Sequence, residues 1–128
     1  PWIDGATFRP GPEMGDARAY CAVVAAGGRV VVLGDHAGGP ALDSTELLDM
    51  MALIPGPDML TTRYGCAAIQ IDGNRVLVVG GVSESMWFDD DDAAINTTEI
   101  FHLATLTFTP GPIMQSIRFN CAAVALDA

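Results

Sequence analysis

The sequence predicts an all-β fold assembled from four-stranded antiparallel units, and three observations carry that prediction. The segment Phe8-Arg9-Pro10-Gly11-Pro12 returns as Leu53-Ile54-Pro55-Gly56-Pro57 and again as Phe108-Thr109-Pro110-Gly111-Pro112, at spacings of 45 and 55 residues. Each copy is followed in register by Met (Met14, Met59, Met114), Arg (Arg18, Arg63, Arg118) and Cys (Cys21, Cys66, Cys121). Between the copies lie segments of four to seven residues, rich in Val, Ile, Phe and Thr and bounded by Gly, Pro or Asp, which read as strands; none sustains a helical period.

The first strand of each unit opens at its Cys, over 21–26 and 66–71. Gly27-Gly28 and Asp72-Gly73-Asn74 are tight hairpin signals, so the second strands, Arg29-Val30-Val31-Val32-Leu33-Gly34 and Arg75-Val76-Leu77-Val78-Val79-Gly80, return antiparallel. A third strand is expected near 45–49 and 98–102, where Ser44-Thr45-Glu46-Leu47 answers Thr97-Thr98-Glu99-Ile100, and a short fourth near 51–53 and 105–109. The second unit is ten residues longer, and seven of the ten fall between its second and third strands, so 82–96 reads as an enlarged loop. Four antiparallel strands make one propeller blade, and closing a propeller takes roughly four or more blades. The expected organisation is a partial β-propeller: the end of a preceding blade and a linker (1–18), a complete blade (19–54), a linker (55–63), a second complete blade (64–109), and a linker with the first strand of a following blade (110–128). This is the pattern of an excerpt from a larger gene product; the alternative is a short protein that assembles from several copies.

The pattern resembles the Kelch repeat on several residues. These are the Gly pair after the second strand (Gly80-Gly81), Thr-Glu in the third, an aromatic near the end of the fourth (Phe8, Phe108), and then Pro, Met and Arg before the next blade. The resemblance spans almost the whole chain. It departs from the family at Gly34-Asp35, where a Gly pair is expected, and at Leu53, which replaces the aromatic. Kelch-like propellers include substrate adaptors, actin-associated scaffolds and some enzymes, so the resemblance implies a fold more narrowly than a function.

Composition excludes several classes. Half of the 128 residues are hydrophobic and 17% are charged, which does not describe a disordered chain. The longest apolar runs are six residues, against roughly 20 for a membrane-spanning helix, so no membrane role is expected. A net charge of -10, with Arg as the only basic residue type, disfavours nucleic acid as a partner. Three Cys without zinc-type spacing point away from a disulfide framework and favour a reducing intracellular compartment.

Candidate sites follow from topology. Linkers before first strands and loops between second and third strands emerge at one end of the units, which gathers Arg18, Arg63, Arg118 and the enlarged loop on one face. In a functional reading these guanidinium groups clamp acidic groups of a partner peptide. In a structural reading each pairs with a carboxylate or carbonyl of its neighbouring blade. Arg29 and Arg75, at the opposite hairpin end, read as structural. Inside the enlarged loop, Trp87 and Phe88 either fold back or contact a partner, and Asp89 to Asp92 read as a solvated acidic stretch rather than a metal site. Cys21, Cys66 and Cys121 read as buried small residues, and Gly34, Gly80 and Gly81 as turn and close-packing positions. His36 and His102 are out of register, as are Tyr20 and Tyr64, so no copper-oxidase ligand set is expected; no cofactor, metal site or catalytic triad stands out. The expected function is a noncatalytic protein-interaction module that presents loops to a protein or peptide partner. The alternative is part of a Kelch-like propeller enzyme, related to galactose oxidase or otherwise, whose catalytic residues lie outside this chain. The remaining blades of a larger chain, or further copies of this one, are the other partners implied.

Overall fold

The structure, a computed structural model, describes residues 8, 10–35, 41–49, 52–83 and 95–116. Strands β1 (Ala22–Ala26), β2 (Arg29–Asp35), β3 (Leu42–Asp49) and β4 (Ala52–Pro55) form one sheet, and β5 (Ala67–Gln70), β6 (Arg75–Val79), β7 (Thr98–His102) and β8 (Thr107–Pro110) form a second. Each sheet is antiparallel throughout, its strands hydrogen-bonded in chain order. Among the described residues there is no helix.

Local chemistry sets the turns. Gly27 and Gly28 both adopt left-handed φ, at 58° and 76°, closing a two-residue hairpin between Ala26 and Arg29. In the second sheet Asp72 accepts the Asn74 N–H at 2.8 Å and pairs with Arg75 at 2.7 Å. Asn74 also ties this hairpin to the β7–β8 turn, accepting from Leu103 N at 2.8 Å and Ala104 N at 2.7 Å.

Strand bounds depart from expectation in three places. β3 begins at Leu42, earlier than the Thr-Glu pattern indicates, because a register shift at Gly34 lets Asp35 pair with Leu42 beyond the bulge. β4 and β8 extend into Pro55 and Pro110, which an edge strand tolerates because its outward N–H positions need no partner. Cys21 and Cys66 stand immediately before β1 and β5 rather than within them; both are free thiols, Cys66 buried and Cys21 half-buried. Cys121 lies outside the described residues.

Strand alternation divides each sheet into two faces. Ala22, Val24 and Ala26 of β1 share a face with Val31, Leu33 and Leu47, and this face packs against Cys66, Val76, Val78, Phe101 and Phe108 of the second sheet. The Phe101 and Phe108 rings stack with centroids 4.7 Å apart. The opposite face of the first sheet carries Val23, Ala25, Val30, Val32, Leu48 and Leu53, and that of the second Ile69, Leu77, Val79 and Ile100.

Gly34 closes β2 with φ 69°, and a Cβ there would strike the Arg63 carbonyl of the following linker. At Gly28, with φ 76°, a Cβ would meet nothing within 4 Å. Gly28→Ala is therefore expected to cost backbone strain alone, about 1–2 kcal/mol. Gly34→Ala should lower the urea unfolding free energy by clearly more, since the linker backbone must move. Equal losses for the two variants would show that the close approach at Gly34 carries no weight.

Candidate functional site

The face that gathers the linkers is built on two networks with the same wiring. Arg63 donates from Nε to Glu99 Oε2 at 2.8 Å, from Nη1 to the carbonyls of Gly80 at 2.8 Å and Thr97 at 2.9 Å, and from Nη2 to Thr97 Oγ1 at 2.9 Å. Arg18 repeats this with Glu46 at 2.8 Å, the Gly34 and Ser44 carbonyls at 3.1 and 3.2 Å, and Ser44 Oγ at 3.1 Å. Asp16 stands 3.8 Å from Arg18 as well. The glutamates also hold linker backbone: Glu46 accepts from Gly15 N at 2.7 Å, and Glu99 from Leu60 N at 2.6 Å and Thr61 N at 3.2 Å.

The preceding threonine of each strand holds the next linker. Thr45 Oγ1 donates to the Pro57 carbonyl and Thr98 Oγ1 to that of Pro112, both at 2.7 Å, while Gly56 and Gly111 N–H groups return to the Thr45 and Thr98 carbonyls at 2.9 and 3.0 Å. Gly56 and Gly111 have no room for a Cβ, because each lies against the threonine hydroxyl. Since successive strand residues point to opposite faces, Thr-Glu grips one linker on each side of its sheet. The linker between the sheets is thus held by Thr45 of the first and Glu99 of the second.

This geometry corrects the guanidinium clamp expected at Arg18 and Arg63. Both side chains are solvent-inaccessible, and their donors are taken by their own units, so neither is presented to an acidic partner. The bonds follow the structural reading instead: each linker Arg pairs with a carboxylate and carbonyls of an adjoining sheet, the one that it precedes. Arg118, Trp87, Phe88 and Asp89 to Asp92 lie outside the described residues, as does His36. Gly80 and Gly81 have φ of 65° and 106°, and Gly80, like Gly34, turns its carbonyl to an Arg. At the hairpin end, Arg75 pairs with Asp72, Arg29 lines a shallow cleft of about 340 Å³ with Gln70, and His102 bonds Thr109 Oγ1 at 2.8 Å.

One pairing was not legible in the repeat register. Tyr20 and Tyr64 are not equivalent positions, yet their rings lie 6.4 Å apart at 57°, because Gly65 N donates to the Tyr20 carbonyl at 2.8 Å and joins the entry ends of β1 and β5. Burial pushes the Tyr64 hydroxyl above its ordinary pKa of 10.0. Among the described residues, no group of three or more His, Cys, Asp and Glu side chains gathers to hold a metal ion. No protein-family model matches the chain, and no curated protein matches it.

Two measurements check the networks. Arg63→Met strands the buried Glu99 carboxylate, and a loss of about 3–5 kcal/mol is expected by urea unfolding, partly recovered when Glu99→Leu is added. For Glu46, burial raises the carboxyl pKa, but the Gly15 N–H and Arg18 outweigh it and hold the group below its ordinary 4.5. A depressed folded-state pKa gives stability that is complete above 4.5 and is lost as pH falls through the lower folded value. Glu46→Gln should therefore flatten the acid limb of stability against pH; an unchanged limb would show that the pair is not coupled to folding.

Proposed function

We propose that the chain is part of a Kelch-type β-propeller acting as a noncatalytic protein-interaction module, with its two sheets as consecutive blades. The observation that carries this reading is the repeated Thr-Glu grip, which links sheet to linker to sheet by one constant joint and so describes a series. A series has ends that need neighbours. Val23, 58% exposed, lies on the outward apolar face of the first sheet. Phe8 is exposed where Phe108 is buried, and Met14 is 43% exposed where Met59 is at 3%. Among the described residues a Cβ at Gly11 would meet nothing within 4 Å, although one at Gly56 or Gly111 would strike a threonine. These positions fit further sheets of the same kind, whether remaining blades of a larger chain or another copy.

The recognition role rests on the division of labour between the two ends. The sheets and their buried ion pairs fix the linkers and strand ends at one end, where a scaffold can present variable segments to a protein or peptide. Trp87 and Phe88 belong to the longest of these segments.

Two experiments test the reading. In light scattering, the isolated chain is expected to associate with concentration, and Val23→Lys to reduce that association; a monomer at every concentration would overturn the open-series picture. In a pull-down from source extract, deletion of 87–92 is expected to abolish capture of the bound protein, while Gly73→Ala, at the opposite end and in open space, retains it. Equal capture by both variants would remove the loop-bearing end as the recognition face.

A further inference from the structure

Both sheets carry an Arg at the first position of their second strand, Arg29 in β2 and Arg75 in β6, yet the two hairpin turns treat it differently. In the second sheet Asp72 accepts from Arg75 Nε at 2.7 Å and from the Asn74 N–H at 2.8 Å, so the turn supplies its own counter-ion. The turn of the first sheet is one residue shorter and consists of Gly27 and Gly28, so it contributes backbone and no side chain. Among the described residues the Arg29 guanidinium makes no hydrogen bond or ion pair, and neither does the Gln70 side-chain amide.

These two groups meet in one place. Arg29 and Gln70 are both half-buried, and together they line the cleft of about 340 Å³, whose other walls are Ala25, Ala26, the two turn glycines and Val30. The lining thus holds one cation and one neutral amide with donors to offer, and no acidic side chain. A guanidinium partly withdrawn from water is best satisfied by an anion that accepts from it directly. One cation balances one negative charge, so a carboxylate matches this lining better than a phosphate, which carries nearly two at neutral pH. The second hairpin is a template for the arrangement, since the same Arg position there binds a carboxylate through Nε.

We propose that the cleft beside the Gly27-Gly28 turn binds a carboxylate, with Arg29 as its charge partner and Gln70 as a second donor. The site lies at the hairpin end and does not depend on reading the chain as a protein-interaction module. The probes are acetyl-Asp-amide, whose carboxylate is a side chain, acetyl-Ala, whose carboxylate is a terminus, acetyl-Asn-amide and inorganic phosphate. Each is titrated against the full isotope-labelled chain and followed by NMR at the Arg29 Nε–H and the Gln70 side-chain amide. Saturable shifts are expected with a carboxylate probe, tighter than with phosphate and absent with acetyl-Asn-amide; the tighter of the two carboxylates distinguishes a side chain from a terminus as the source. Arg29→Gln, read at Gln70, should weaken the carboxylate roughly tenfold and leave the urea midpoint unchanged. Asp49 ends β3 one position beyond the Val30–Leu48 pair and is the acidic residue nearest Arg29 in register, so Asp49→Asn is the second variant, and binding should not require it. The proposal is overturned by absence of saturable shifts at Arg29 and Gln70, by phosphate binding as tightly as carboxylate, or by equal affinity in Arg29→Gln. It is also overturned by a lower urea midpoint in Arg29→Gln, or by binding seen only in Asp49→Asn, either of which would show Arg29 held within its own sheet.

Discussion

The architecture depends on one buried carboxylate per sheet, Glu46 in the first and Glu99 in the second. A Glu withdrawn from water is destabilising unless its oxygens are satisfied. Here each accepts an Arg Nε–H and linker backbone N–H groups, and the matching guanidinium is completed by a strand-end carbonyl and by Ser44 or Thr97 two residues before the Glu. Residues two apart on a strand share a face, so Ser44 with Glu46, or Thr97 with Glu99, grasp the Arg together while the intervening Thr faces the other way. That alternation converts three consecutive residues into a connector between two linkers. Removing the carboxylate would release the Arg and the linker start at once.

The other constraints are graded by burial. Gly34 and Gly80 end their strands in a left-handed conformation that turns a carbonyl to the guanidinium, so they belong to the same buried network. The hairpin ends are freer. One uses Gly27-Gly28 and the other Asp72-Gly73-Asn74, with an Arg75–Asp72 pair whose side chains are each more than 40% exposed. Solvent screens such a pair, and it contributes little to stability. Apolar packing between the sheets and polar satisfaction at the linker end therefore fix the arrangement, while the hairpin turns accept different local solutions.

Much of the fold was legible because it is written twice. The in-register Pro, Met, Arg and Cys, the hairpin glycines and the Thr-Glu dipeptides located all eight strands to within a few residues. The role of the repeated Arg was less legible, because its partner lies 28 residues on in Arg18–Glu46 and 36 in Arg63–Glu99, and sequence spacing does not say which sheet supplies the carboxylate. The early start of β3 depends on a bulge at Gly34 that periodicity does not show. The Tyr20–Tyr64 contact is not written in the repeat, because contact between adjacent strand entries need not join equivalent positions. A signal was nonetheless present: Tyr20 stands where the second copy carries Gly65, and both residues adopt a left-handed backbone.

In the two described sheets the recurring Arg, Thr and Glu are committed to holding sheets and linkers together, and their chemistry is consumed in doing so. Four of the six Arg residues lie among those described, and the two at the linker-bearing end are neutralised inside their sheets. Arg18 and Arg63, which looked available for recognition, are therefore not presented there. Individual character must then come from departures from the repeat. At Tyr20 such a departure is maintained against a backbone preference, whereas at Leu53, in the place of Phe108, it exchanges one apolar side chain for another. Leu106, at φ 54° and also exposed, places a second bulky side chain on a left-handed backbone, so such strain is accommodated at both ends of the sheets.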